Sequence, residues 1–367
     1  MESMERDARM RDEAAIRGLK AIYRQYGYKP FRMSRFEEYD FYADNKSFLQ
    51  SENVITFTDL NGKLMALKPD VTLSIVKSAS DTATEKVFYS ENVYRADMGR
   101  GERGFSEIMQ VGLECIGDID VYESSEVLML AGRSLERFSD TFALDVSHMG
   151  FVQGMLTDSG LPASRQAQAL NCIASRNESG VRALCAGLDA GTTAGLCALA
   201  TLYGGVPALL PQLRAIGKSA QTAAALDELA AIYEVLCGCG LGEKVHLDFS
   251  IVNDMNYYNG VIFRGFVSGV PSSVLSGGRY DNLMHKMGKT AGAIGFAVYL
   301  NVLEQYLYAD EGYDADVLLT YDADVSASMV ARRVAALTAQ GKSVRVQKKA
   351  DALRCKEHIH LTKEAEA

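Results

Sequence analysis

Tryptophan is absent from the 367 residues, proline occurs only 6 times, and there is no basic surplus. The missing Trp excludes nothing. The charge balance excludes more: 38 Lys plus Arg stand against 47 Asp plus Glu, a formal charge of −9. Proteins that grip nucleic acid by neutralising phosphates usually carry a surplus of the opposite sign. A global basic surface is therefore removed, and only a local patch is left open. No apolar run approaches the roughly 20 residues of a membrane span. The opening stretch MESMERDARMRDEAA is charged throughout, without an apolar secretory core. A cytoplasmic location with no membrane partner is expected. The seven cysteines, at 115, 172, 185, 197, 237, 239 and 355, are odd in number and scattered. That pattern suggests reduced thiols rather than a disulfide framework.

What is present describes an ordinary globular chain: 48% hydrophobic, 23% charged. The length suggests two or three domains. Leu19, Ile22, Tyr23 and Tyr26 recur at helical spacing, predicting an amphipathic helix over 7–26 that ends near Gly27. VITFTD (54–59) and KLMAL (63–67) flank Asn61-Gly62, a hairpin signal. Strands are expected at 86–95, 108–117 and 141–149, with a helix over 123–138. From 151 to 242 the chain turns rich in Ala, Leu and Gly with helical spacing, which reads as a helical insertion. Strands return at 245–251, 256–267 and 272–278. Phe296, Leu300, Leu303 and Leu307 share one face of an expected helix over 295–307. The tail, 313–367, reads as a short strand–helix–strand unit. The expected organisation is a core in two parts, 1–150 and 243–312, divided by the insertion 151–242 and followed by that tail.

Most chemical motifs have bland explanations. GRGERG (99–104) matches a dinucleotide fingerprint only formally, because a strand-like sequence follows where a helix is required. Cys237-Gly238-Cys239 has no second pair and reads as a helix end. Cys355, His358 and His360 read as a solvated strand, and no metal site is expected. His246 and Asp248 fall on the polar side of the alternation in 245–251, and surface exposure explains them. The informative set is long-range: LKPDVTL (67–73), VYR (93–95), QVGLE (110–114), NYYNG (256–260) and SGGRYDNLM (276–284). Asp70, Gln110 and Glu114 are polar residues on or beside apolar strands, and burying them is unfavourable unless they are paired. A shared polar cleft follows. Its acids and amides suit an ammonium or imidazole donor, and Tyr257, Tyr258 and Tyr280 supply walls with hydroxyl tips.

YYNG followed by GGRYDNL resembles the two histidine-recognition signatures of histidyl-tRNA synthetases, a class II aminoacyl-tRNA synthetase family. KPDVT, YRAD…QVGLE and GAIGFAVYL resemble further motifs of that family. The resemblance implies an α+β fold: an antiparallel sheet flanked by helices, forming a homodimer through that core. It implies an amino-acid pocket of Asp70, Thr72, Arg95, Gln110, Glu114, Tyr257, Tyr258 and Tyr280, with Asp70 in the amino-group position. It also marks losses. The active-site arginine of the family falls on Asn253, and the motif 3 arginine that grips the ATP phosphates falls on Val302. A neighbouring glycine falls on Tyr299. Tyr299 and Val302 are expected on one helical face, where a ring obstructs nucleotide and a positive charge is gone. The tail is about half the length that the family's anticodon-binding domain requires. This combination resembles the regulatory subunits of short-form ATP phosphoribosyltransferases, in the first step of histidine biosynthesis. That resemblance implies a non-catalytic chain without cofactors. It would partner the short catalytic subunit in a hetero-oligomer, activate it, and mediate feedback inhibition by histidine. Three alternatives stand beside it: an active histidyl-tRNA synthetase variant, a tRNA-sensing synthetase-like binding module, and a paralogue with an unrelated ligand in the old pocket.

Overall fold

The computed structural model describes residues 2–46, 49, 53–81, 83–97, 104–252, 257–307, 313–349 and 353–363; of 2–12 and 304–307 only the backbone is described. Asn253, Asp254, Arg100 and Arg103 lie outside the described residues. The chain divides into a larger unit, Ile16–Tyr306, and a smaller one, Met1–Ala15 with Leu307–Ala367.

Nine strands of the larger unit form one sheet: β1 (Lys29–Pro30), β5 (Glu85–Asp97), β6 (Gly104–Gly117), β7 (Phe142–His148), β8 (Tyr203–Gly205), β9 (Val245–Asp248), β10 (Val261–Val267), β11 (Leu275–Arg279) and β12 (Gly292–Tyr299). A satellite sheet holds β2 (Phe36–Glu38), β3 (Thr56–Thr58) and β4 (Leu64–Leu67). The large sheet runs β1-β5-β6-β12-β11-β10-β7-β9-β8. It is antiparallel except for β1–β5 and β7–β9.

The register separates two faces. Phe88, Leu113, Phe296, Gly277 and Phe263 are neighbours along one row. Tyr23, from the helix Glu2–Gln25, packs its ring 6.1 Å from Phe88 and 6.0 Å from Phe296. Its hydroxyl meets Ser134 at 3.0 Å, on the helix Val121–Glu136. Helices therefore cover this face. The adjacent residues point to the other one (Gln110, Gly112 and Glu114 on β6; Gly295, Ala297 and Tyr299 on β12) because strand side chains alternate.

The expected hairpin is present: β3 and β4 pair from Thr56↔Ala66 to Thr58↔Leu64. Gly62 takes φ +83° in its turn, a conformation that favours glycine. The segment expected as one helix over 295–307 is corrected. Residues 292–299 are a strand, paired throughout with β6, and the helix spans Leu300–Leu307. Ladder hydrogen bonds and the small residues Gly295 and Ala297 override a helical spacing of large ones. Tyr299 consequently ends a strand and shares no helical face with Val302.

Residues 149–238 supply six helices, Met149–Asp158, Ala163–Ala174, Glu178–Leu184, Ala190–Thr201, Val206–Ile216 and Ala220–Gly238. Within this stretch β8 extends the main sheet through β9. Here a second expectation is corrected. Asp248 is 5% exposed and not a surface residue. Its carboxylate accepts from Ser250 N at 2.9 Å and Ser250 Oγ at 2.6 Å, and it pairs with Arg176 at 2.6 Å. Arg176 has φ 52°, the left-handed region, alone among described non-glycine residues. Its guanidinium lies 5.7 Å from the Tyr203 ring, which stacks on His246 at 5.5 Å. The ion pair holds a backbone conformation unfavourable by about 1 kcal/mol. Arg176→Ala is expected to destabilise by about 2 kcal/mol, because it strands a buried carboxylate. Denaturant unfolding of the full chain tests this; an unchanged midpoint refutes it.

In the smaller unit, β13 (Ala315–Tyr321), β14 (Val344–Gln347) and β15 (Cys355–Leu361) form a parallel sheet ordered β14-β13-β15. The helix Ala327–Ala339 starts at the Ser326 cap, and Gly341 follows it with φ +79°. His358 and His360 both meet the Thr320 hydroxyl, at 2.9 and 2.8 Å. Among the described residues no helix is long and apolar enough to cross a membrane, and no cluster of three or more His, Cys, Asp or Glu could hold a metal. All seven cysteines are free thiols.

Candidate ligand-binding site

Asp70, Thr72, Arg95, Gln110, Glu114, Tyr257, Tyr258 and Tyr280, brought from five separate stretches of sequence, line one cavity on the second face of the sheet. Tyr299 lines it too, whereas Val302 does not and is half-buried. Glu114 sits on β6 in the middle of the sheet, 2% exposed. Tyr280 donates to its Oε2 at 2.6 Å and Thr72 to its Oε1 at 3.0 Å. Burial pushes its carboxyl up to about 8; the two hydroxyl donors oppose this, and nearby Asp70 adds to it. Asp70 accepts from Leu73 N at 3.0 Å, and Arg95 Nη2 lies 3.6 Å away. Burial raises its carboxyl as well, against the pull of Arg95. Arg95 is anchored by Nε donating to Pro69 O at 2.9 Å. Gln110 is buried, and its Nε2 has no hydrogen-bond partner among the described residues. The rings of Tyr257 and Tyr258 meet edge-on at 4.5 Å, and Tyr257 lies 5.9 Å from Tyr280. The cavity as it stands leaves about 40 Å³ free, room for one or two waters.

Two kinds of residue hold this arrangement without carrying its chemistry. Gly295 lies opposite Glu114 across β12–β6. A Cβ at 295 would fall 1.7 Å from Glu114 Oε2 and 2.4 Å from Leu113 O, so only glycine admits the carboxylate there. Asn259 and Asp281 form the second kind. Asn259 Nδ2 donates to Asp281 Oδ2 at 3.0 Å, and Asp281 N donates to Asn259 Oδ1 at 2.9 Å. Arg279 Nε and Ala293 N also donate to the Asp281 carboxylate, at 2.8 and 3.0 Å. This lock fixes the turn bearing Tyr258 against the strand end bearing Tyr280. Neither Asn259 nor Asp281 is singled out as a pocket residue by the sequence reading. The signal was there, since both sit inside the paired signatures NYYNG and SGGRYDNLM.

Tyr299 departs from a plain obstruction. Its hydroxyl meets Ser276 Oγ at 2.6 Å, so the ring is tied across the cavity wall by a partner on β11.

The chain matches the histidyl-tRNA synthetase family over residues 2–303. It is similar to an ATP phosphoribosyltransferase regulatory subunit of Symbiobacterium thermophilum, with 30% identity over 93% of this chain and 89% of the relative. A regulatory subunit of the same name from Clostridium kluyveri is 26% identical over 83% of this chain and 81% of its own. The chain belongs to the histidyl-tRNA synthetase family, in its branch of ATP phosphoribosyltransferase regulatory subunits. A solved structure from Bacillus halodurans C, described as an ATP phosphoribosyltransferase regulatory subunit/histidyl-tRNA synthetase, superimposes with a TM-score of 0.78 at 25% identity. It covers 96% of this chain and 94% of its own. The α+β class II synthetase-like fold expected from the signatures is thereby found. Tyr299, tied to Ser276 on β11, forms part of the wall of this cavity.

Proposed function

We propose that this chain is a non-catalytic regulatory subunit that assembles with the short catalytic subunit of ATP phosphoribosyltransferase, activates it, and confers inhibition by histidine. The reading is supported above all by one observation: an acidic, tyrosine-walled cavity holds Asp70 and Glu114 together, with Tyr299 in its wall. Asp70 would take the ammonium group, Glu114 an imidazole N–H, and the unpartnered Gln110 Nε2 an acceptor of the ligand. Histidine is larger than the free space of about 40 Å³, so its entry requires the cavity wall to move. That movement supplies two states with different affinity, which is what linkage between histidine and a partner subunit needs. A cytoplasmic location, a homodimer through the larger unit, and the absence of nucleic-acid binding belong to the same reading.

Co-expression with the short catalytic subunit is the test. A stable complex is expected, with transferase activity that rises on assembly and falls with histidine. A catalytic subunit indifferent to this chain sinks the proposal. Alone, the chain is expected to give no histidine-dependent ATP–pyrophosphate exchange, because adenylate chemistry relies on positioned positive charge. Measurable exchange would instead favour an active synthetase.

A further inference from the structure

A polar pair lies on the helix-covered face of the sheet, away from the amino-acid cavity. His148 ends β7, shares the face of Phe263 by strand alternation, and is 4% exposed. Its Nε2 lies 3.1 Å from Glu228 Oε2, on the helix Ala220–Gly238. The Glu228 carboxyl is held below its ordinary range, first by this hydrogen bond, so it is the acceptor and Nε2 carries the donated proton. His148 Nδ1 and Glu228 Oε1 are buried and have no hydrogen-bond partner among the described residues. The two side chains therefore depend on each other, and separating them strands buried polar atoms. His148 in turn borders the turn that bears the tyrosines. It pairs with Val261 at the start of β10, and Met149 N donates to Gly260 O at 2.9 Å. Gly260 follows Asn259, whose lock on Asp281 fixes Tyr258 against Tyr280. Arg279 and Asp281 act on the Glu228 carboxyl as well, in opposite senses. An added Cβ at Gly260 would fall 2.9 Å from Arg279 Cδ, and one at Gly150 3.0 Å from His148 Cε1, so both sides of this junction are closely packed.

We propose that Glu228 and His148 are positioning residues for the amino-acid cavity, joining the last helix of the insertion to the turn that carries Tyr257 and Tyr258. Neither side chain lines the cavity. The helix holds His148, His148 ends the strand that pairs with β10, and the residue after it holds Gly260. A displacement of the helix therefore reaches the cavity through contiguous hydrogen bonds and packed side chains. This gives the helical stretch 149–238 a part in setting ligand affinity. The inference rests on the amino-acid reading of the cavity for its ligand, but not for the link between helix and turn.

Amide hydrogen exchange of the full chain, read at residues 257–262, tests the link without any ligand. Glu228→Ala should speed exchange there about tenfold. Glu228→Gln keeps a hydrogen-bond partner for His148 and should stay near wild type. Arg176→Ala, which loosens the same insertion elsewhere, should leave exchange at 257–262 unchanged. Calorimetry with L-histidine tests the consequence. Glu228→Ala should weaken binding about tenfold, the effect of one lost charge-assisted hydrogen bond, and Glu228→Gln should restore most of it. Combined with Asn259→Ala, the loss from Glu228→Ala should be less than additive, because both act through one turn. Unchanged exchange or unchanged histidine affinity in Glu228→Ala overturns the inference. So do equal effects in Glu228→Ala and Arg176→Ala. If wild type binds no histidine while exchange responds as expected, the amino-acid reading fails and the link stands.

Discussion

Gly295→Ala is expected to abolish histidine binding and to destabilise the larger unit by about 3 kcal/mol or more. The added Cβ has nowhere to go. It would sit 1.7 Å from Glu114 Oε2 and 2.4 Å from the carbonyl of Leu113. The carboxylate could swing away, but it would then leave its donors Tyr280 and Thr72, both in the same buried site. The backbone contact would remain in any case. Overpacking of this kind and orphaned polar groups are each unfavourable by about 1–3 kcal/mol. Thermal unfolding and histidine titration check the two halves separately. Glu114→Ala in the Gly295→Ala background is informative, because it removes the nearer clash. Partial recovery of stability, limited by the remaining contact with the Leu113 carbonyl, without recovery of binding is the expected pattern. A Gly295→Ala protein that is as stable as wild type would show that β12 and β6 are not packed as described.

The second large effect belongs to Glu114 itself. Its carboxyl is raised to about 8 from an ordinary 4.5, chiefly by burial. Between those values the folded protein binds a proton that the unfolded chain has released. Stability therefore falls as pH rises from about 4.5 to about 8, by at most about 1.4 kcal/mol per pH unit. Glu114→Gln mimics the neutral carboxyl and should lose this slope, becoming the more stable protein near pH 8. Asp70 is also raised by burial, so some slope of the same sign remains in the variant. Histidine binding should behave in the opposite sense. An imidazole N–H needs the carboxylate, so affinity for wild type rises toward pH 8 with proton release. Glu114→Gln should bind histidine about 100-fold more weakly, the worth of one buried charged hydrogen bond, and without that rise. Calorimetry in two buffers of different ionisation enthalpy measures both. Equal histidine affinity in wild type and Glu114→Gln would remove the pocket from the reading.

Some of this was legible in the chain before any coordinates. The hairpin around Asn61-Gly62, the long pair 86–95 and 108–117, and the helices of 149–238 follow from local rules of turn chemistry and periodicity. Such rules act over a few residues, where the neighbours in sequence are the neighbours in space. The polar residues Asp70, Gln110 and Glu114 on apolar strands announced a cleft for the same reason: they could not be buried singly. Where periodicity misled, a distant partner decided. Residues 295–299 carry a helical spacing, yet β6 and β11 flank them and make them a strand. Asp248 alternates like a surface residue, yet Arg176, 72 positions away, comes to cover it.

The sequence by itself determined the family and the set of residues that line the cavity. These depend on residue identity at positions in motifs. Only the tertiary structure decided that Gly295 is the floor on which Glu114 rests, and that Asn259 and Asp281 lock the two tyrosine-bearing segments. It alone showed Tyr299 tied to Ser276, and Glu228 meeting His148 from 80 positions away. Close approach across a sheet, and the pairing of buried polar groups, exist only once the chain has brought distant residues together.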